Sequence, residues 1–374
     1  MKLIINNSST FKGGSEQVAL SFIHECKKHP ENEYHVIIGQ NLAKQINRTS
    51  FPENFSFYVL KKRPASNIYT FLKTMLWFRK LEQQINPDCV IATGGHGYWR
   101  PKAPLVTGFN IPHYLYPESP YFKQISLSKR TYWVIRKMID LYFFRRVDAF
   151  FVQTDDINMR VRNLMGRNNV YTVSNTINSL FYKSLNDSCK LPERKDGEIR
   201  LLTLSSYYPH KNLEVINDVA LKLLNSNITD FRFVLTIPHQ IFESKFNDIA
   251  KSYIYNIGPV AIEECPSLYN EIDFMFLPTL LECFSASYAE AMVMEKPILT
   301  SDLGFAHTVC GNAAVYFDPL NPEDIAQKII SLSLSKNKQS KLIEEGKKRA
   351  KELMTPEKRA EKYLSICKQI ISHE

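Results

Sequence analysis

YIYNIGPVAIEECPSLYNEIDFMFLPTLLECFSASYAEAMVMEKPILTSDLG, residues 253–304, is the stretch on which the fold of this chain turns. A short apolar strand ends at Gly258-Pro259, and a brief polar helix from Cys265 to Asn270 follows. A buried-looking strand, Asp273 to Leu277, runs into the loop Pro278-Thr279-Leu280-Leu281-Glu282-Cys283-Phe284-Ser285. Small residues then start a helix near Ser287 that carries Glu290, and a strand from Pro297 to Thr300 closes the unit. Open parallel sheets bind ligands where a strand gives way to a loop and a helix start.

Glu282 and Glu290 are spaced so that both can point into one cleft. The first turn of the intervening helix offers backbone N–H groups and a positive dipole end, which suits phosphate. A plainer reading stays open. Ser287-Tyr288-Ala289-Glu290 also fits a capping box, in which the Glu reaches back to the helix start and serves no ligand.

The rest of the chain repeats the same grammar. Strands are expected at Lys2 to Asn6, Tyr34 to Gly39, Phe55 to Leu60, Cys89 to Thr93, Leu105 to Phe109 and Ala149 to Val152. Helical patterns fall between them at Glu16 to Lys28, Ile68 to Ile85, Leu127 to Arg146 and Asp155 to Met165. This βα alternation implies parallel sheets covered on both faces, an α/β class. A polar linker is expected within 181–198, after which residues 199–205 open a second Rossmann-like unit. With 374 residues, two domains are expected. No G-x-G-x-x-G occurs, so a dinucleotide is not favoured.

Seven scattered cysteines without a C-x-x-C pair argue against a disulfide framework or a zinc site. The N-terminus turns polar after four apolar residues and has no signal-peptide core, so a cytoplasmic protein is expected. Charge is shared unevenly. Residues 1–180 hold 24 Lys+Arg against 12 Asp+Glu (+12), and residues 181–374 hold 23 against 26 (−3). The first half is therefore expected to face something anionic. Its helices near 67–80 and 129–146 mix Lys73, Lys80, Lys129, Arg130, Arg136, Lys137, Arg145 and Arg146 with Trp77, Tyr132 and Trp133. Ile135, Ile139 and Tyr142 share one stripe of the second helix. Such a composition suits the surface of an anionic membrane, and equally a helix whose aromatics pack inward and whose charges are solvated. No nucleic-acid reader motif is present, so nucleic acid is not expected as a partner.

The stretch 253–304 resembles the retaining GT-B glycosyltransferases of family 4. Their two glutamates with seven residues between them, Pro-Ser before and Ala-Met after, match Pro278-Thr279, Glu282, Phe284, Glu290-Ala291-Met292 and Pro297. The resemblance covers nearly the whole chain and implies two Rossmann-like domains facing across a cleft. It divides them as an acceptor domain at 1–180, a nucleotide-sugar domain at 199–353 and a last helix, 354–374, that crosses back to the first domain.

It also implies site residues. Gly13 and Gly14 take the place of the glycine loop near the donor phosphates. Asn110, in Phe109-Asn110-Ile111-Pro112-His113, stands where the family carries a sugar-contacting His, and His113 and His96 are spare candidates. Lys211 matches the lysine that neutralises the leaving diphosphate, while its usual Arg partner is Ser206 here. Pro238 sits where the nucleotide base is framed. Glu282, Cys283, Phe284 and Ser285 meet the transferred sugar and diphosphate, and Glu290 takes the ribose hydroxyls. The family's Gly before the x-Pro is Glu295, so the helix end is expected to lack its usual left-handed residue.

The activity implied is transfer of a hexose-type sugar from a nucleotide diphosphate sugar, UDP-sugar favoured, to a saccharide or lipid-linked hydroxyl with retained configuration. No metal or other cofactor is implied. The setting would be surface polysaccharide assembly at the inner face of the membrane. A catalytically degenerate binding subunit, or an epimerase or phosphorylase of the same fold, is the alternative.

Overall fold

The computed structural model describes residues 1–10, 14–64, 66–182 and 189–372. The chain forms two compact units. The first comprises Met1–Pro117, Ile125–Asn175 and Met354–Glu374, and the second Glu118–Gln124 and Thr176–Leu353.

The first unit holds a seven-stranded sheet of β1 (Lys2–Asn7), β2 (Glu33–Gly39), β3 (Phe55–Leu60), β4 (Cys89–Ala92), β5 (Leu105–Gly108), β6 (Ala149–Val152) and β7 (Val170–Thr172). The strand order is β3-β2-β1-β4-β5-β6-β7 and every pairing is parallel. The strands are near-continuous apolar runs because helices cover both faces. Leu3, Ile5, Val36, Ile38 and Ile91 form one core with Phe22 of helix Gly14–Glu25. The chain's last helix, Pro356–Ile371, joins the same core. Its Tyr363 ring sits 4.0 Å from Phe151 and 5.3 Å from Phe22.

The second unit holds β8 (Ile199–Thr203), β9 (Phe231–Leu235), β10 (Ile254–Asn256), β11 (Phe274–Leu277), β12 (Ile298–Ser301) and β13 (Ala314–Phe317). The order β10-β9-β8-β11-β12-β13 is again parallel throughout. Segment 118–124 is held to this unit by Ser119, whose hydroxyl donates to the Leu280 carbonyl at 2.6 Å.

In each sheet the order reverses beside its first strand, between β1 and β4 and between β8 and β11. At such a reversal neighbouring loops leave in opposite directions and open a crevice at the carboxyl ends of the strands.

Helices Ile68–Ile85 and Leu127–Phe144 are attached to the first unit unusually. Glu82 accepts from the Lys102 and Ala103 amides, the latter at 3.1 Å. The Asp140 carboxylate accepts from the Tyr114 hydroxyl at 2.6 Å and faces His96 Nε2 at 3.1 Å. The stripe of Ile135, Ile139 and Tyr142 faces solvent, while Asp140 and Phe144 are the buried positions of that helix.

Candidate functional site

At the β8/β11 reversal two loops meet. The loop after β8 carries Ser206, His210 and Lys211, and the loop after β11 carries Thr279 to Ser285. They are laced by backbone first: the Leu280 amide donates to the His210 carbonyl at 2.7 Å, and the Thr279 hydroxyl lies 3.2 Å from the same oxygen. This fixes the Lys211 ammonium against the Glu282 carboxylate in a salt bridge. The Thr279 hydroxyl is also 3.3 Å from Glu282 Oε1. Both charged side chains are nearly buried, with 11% and 12% of their surface exposed, so solvent screens the pair weakly. Burial, with the neighbouring Lys211 charge, holds the His210 imidazole down to about 3. At neutral pH His210 is therefore an uncharged ring, and it stacks 5.5 Å from Tyr208.

Helix Ala286–Val293 begins directly after that loop. Ser285 is its N-cap residue, with no hydrogen bond from its side chain to the helix. The Ser287 hydroxyl instead donates to the Leu204 carbonyl at 3.0 Å. The capping-box reading of Glu290 is thus not what forms. Its Oε2 lies 3.2 Å from the Tyr269 hydroxyl, which is equally 3.2 Å from the Ser287 carbonyl. Burial pushes the Glu290 carboxyl up to about 7, with the Tyr269 hydrogen bond pulling the other way.

The expectation for Glu295 is corrected. It occupies the left-handed region itself, at φ 56°. The Lys296 amide donates to the Ala291 carbonyl at 2.8 Å, the long bond of a Schellman motif, so the turn keeps its geometry without glycine. Lys347 reaches Glu295 at 2.9 Å.

Lys211, Glu282, Cys283, Phe284, Ser285 and Glu290 therefore lie on two adjoining loops and one helix. Ser206 is exposed on the β8 loop, and Pro238 precedes helix His239–Lys245 beyond β9. The other expected residues belong to the first unit. Gly14 begins helix Gly14–Glu25, and Gly13 lies outside the described residues. Asn110 lies over Gly94, where a Cβ would come 3.0 Å from its Nδ2. His113 stacks on Trp133 with centroids 3.7 Å apart. His96 has a packing role: its Nδ1 accepts from the Tyr98 amide at 3.1 Å, leaving Nε2–H to donate to Asp140.

Sequence reasoning did not find His210 or Tyr269. Neither sits in a spacing that marks it, since each matters through what it touches from another element. Among the described residues no group of three His, Cys, Asp or Glu is arranged to hold a metal ion.

Residues 198–334 match the family model described as Glycosyl transferases group 1. The O-antigen chain mannosyltransferase RfbU of Salmonella typhimurium is 25% identical over 161 residues, 41% of this chain and 43% of that protein. The match thus spans less than half of that relative. A glycosyltransferase structure from Rickettsia africae superposes with a TM-score of 0.72 at 16% identity, covering 100% of this chain and 99% of the other. Anabaena HepE, solved with UDP and glucose, gives 0.70 at 13% identity, covering 98% and 99%. The fold is GT-B. In GT-B terms, the residues gathered at the β8/β11 reversal belong to the second of the two Rossmann-like units, the one that the family model covers.

Proposed function

We propose that the chain is a retaining glycosyltransferase. It would move a hexose-type unit from a nucleotide diphosphate sugar, with UDP-sugar favoured, to a hydroxyl acceptor in polysaccharide assembly. The observation that carries this reading is the Lys211–Glu282 pair, seated at the sheet reversal beside the start of helix Ala286–Val293.

The barrier in such a transfer is the charge that develops as the diphosphate leaves and the positive character at the anomeric carbon. Lys211 and the first amides of helix Ala286–Val293 are preorganised donors for the diphosphate, and such donors act most strongly where water is excluded. In the resting protein Glu282 holds Lys211 in place. When a donor binds, the phosphate competes for the ammonium, and Glu282 turns to the sugar hydroxyls. Glu290 accepts from the ribose hydroxyls, a task for which an ionised carboxylate is suited. Ser206 supplies no cation, so Lys211 is the principal positive side chain for the leaving group. As an amide, Asn110 can hydrogen-bond a hydroxyl and cannot carry a proton. No metal is required by these roles.

The mannosyltransferase likeness and the UDP complex of HepE support a nucleotide-sugar substrate. Thermal stabilisation by a panel of UDP- and GDP-sugars tests the reading, because a ligand that binds only the folded state raises the melting temperature. A shift with one donor, lost in Glu282→Ala and Glu290→Ala variants that fold normally, is expected. No shift with any nucleotide sugar would remove it.

A nucleotide-sugar epimerase is the second reading. A Listeria monocytogenes structure described as a putative UDP-N-acetylglucosamine 2-epimerase shares the fold with a TM-score of 0.63 at 12% identity. Analysis of the product, free or epimerised sugar against a glycoside, separates the two.

A further inference from the structure

Helices Ile68–Ile85 and Leu127–Phe144 present an outer face of unusual composition. On the first, Ile68, Leu72 and Leu76 are exposed at helical spacing, Ile68 by 74% and Leu76 by 60%. On the second, Leu127, Ile135 and Met138 are exposed, Leu127 by 78% and Met138 by 68%. The two helices adjoin, since Phe71 of one lies 6.4 Å from Phe143 of the other. Large apolar groups scattered singly over a surface are ordinary, but aligned stripes on neighbouring helices are not.

Charge distinguishes this face further. Lys73, Arg79 and Lys80 are exposed on the first helix, and Lys129 and Arg130 on the second. Each helix contains a single acidic residue, Glu82 and Asp140, and both are buried and used to anchor it. The exposed surface of the pair is thus apolar and basic with no carboxylate on it. The preceding Lys61, Lys62 and Arg63 are exposed as well.

We infer that this face docks on an anionic lipid bilayer, its apolar stripes entering the headgroup boundary and its lysines and arginines meeting the acidic lipids. The charge selects among occupants. A second copy of the chain, paired through the same face, would set lysine and arginine against lysine and arginine. Nucleic acid would use the cations and leave the aliphatic stripes in water. An anionic bilayer satisfies both components at once. The way the helices are held fits this role: Glu82 and the Asp140–Tyr114–His96 cluster pin them from the inside with polar contacts, so the apolar residues remain outside.

The test is co-sedimentation of the full chain with vesicles of phosphatidylcholine alone and of phosphatidylcholine with roughly one third phosphatidylglycerol. The bound fraction is expected to favour the anionic vesicles about tenfold or more, and to fall as salt is raised. Leu76→Asp with Met138→Asp, and separately Lys129→Glu with Arg130→Glu, should each lower that partition by about tenfold while leaving the melting curve in place. Equal partition on both vesicles, or none, overturns the inference. So does a concentration-dependent dimer that Met138→Asp dissolves without any vesicle binding, or retention on nucleic acid that exceeds retention on the vesicles. The assay contains no sugar donor, so its failure leaves the sugar-transfer reading standing. Failure of donor binding likewise leaves this one standing.

Discussion

Lys211 and Glu282, 71 residues apart in sequence, form a nearly buried salt bridge at the point where the second sheet reverses its strand order. Each side chain is the other's principal charged neighbour, so neither can be removed without leaving a charge in a poorly solvated place. That mutual dependence makes the pair measurable apart from any activity.

Lys211→Met and Glu282→Gln are each expected to destabilise the protein by about 3 kcal/mol, because a lone charge remains. The double variant should cost about the same as either single change rather than their sum. Urea denaturation of the four proteins checks this, and additive losses would mean the two groups do not sense each other. Both single variants should also lose about 100-fold in turnover if the donor reading holds.

Glu290 gives a pH dependence whose sign is fixed. Its folded carboxyl is raised by burial to about 7 from 4.5, so the folded state holds the proton more tightly than the unfolded chain does. Its contribution to stability is present below 4.5 and is lost as pH rises towards 7. Ribose hydroxyls donating to the carboxylate favour the ionised form. UDP should therefore bind about tenfold tighter at pH 8 than at pH 6, with close to one proton released at the lower pH. Calorimetry in buffers of different ionisation enthalpy reads both quantities. Glu290→Gln should flatten the profile, and a wild-type profile that is already flat would contradict the role.

Glu295 holds a left-handed backbone at φ 56° where a glycine would rest without strain. Glu295→Gly is expected to be stabilising by about 0.5–1 kcal/mol, the relief of that strain exceeding the loss of an exposed contact with Lys347. Glu295→Ala, which keeps the strain and loses the contact, should not stabilise. The urea midpoints of the two variants decide it.

Gly108, at the end of β5, stands where a Cβ would come 2.4 Å from the Thr93 carbonyl oxygen and 2.8 Å from the Phe151 ring. The obstacle is backbone of the β4 loop, which cannot swing aside. Gly108→Ala should cost about 3 kcal/mol and lower the melting temperature by several degrees. An unchanged melt would show that the β4–β5 edge is more pliant than its packing indicates.

How far the fold could be read in advance follows from which interactions are local. Apolar runs of four to six residues between helical patterns marked the strands, and their parallel pairing followed from the alternation, since each strand had to be joined to the next over a helix. The order of the strands within a sheet was not marked, because the register of β8 against β11 depends on residues more than seventy positions apart. The excursion of residues 118–124 to the second unit was equally silent. Its contacts include the Ser119 hydroxyl on the Leu280 carbonyl and the Tyr121 ring edge-on to His210 at 6.1 Å, which no spacing announces.

The outward face of helix Leu127–Phe144 shows the same limit from the other side. Periodicity marked the stripe of Ile135, Ile139 and Tyr142, but periodicity says only that residues share a face, not which way the face points. The direction was set by Asp140 and Phe144, whose partners His96, Tyr114 and Phe109 come from other elements.

The sequence by itself determined the class of the fold, because period and spacing are properties of neighbours along the chain, and it put Glu282, Glu290 and Lys211 forward as candidates through a family resemblance. Only the tertiary structure decided that Lys211 meets Glu282, that Glu290 is proton-hungry beside Tyr269, and that Glu295 bends where a glycine was expected. Those facts depend on burial and on the convergence of strand ends, which a linear chain acquires when its sheet closes around them.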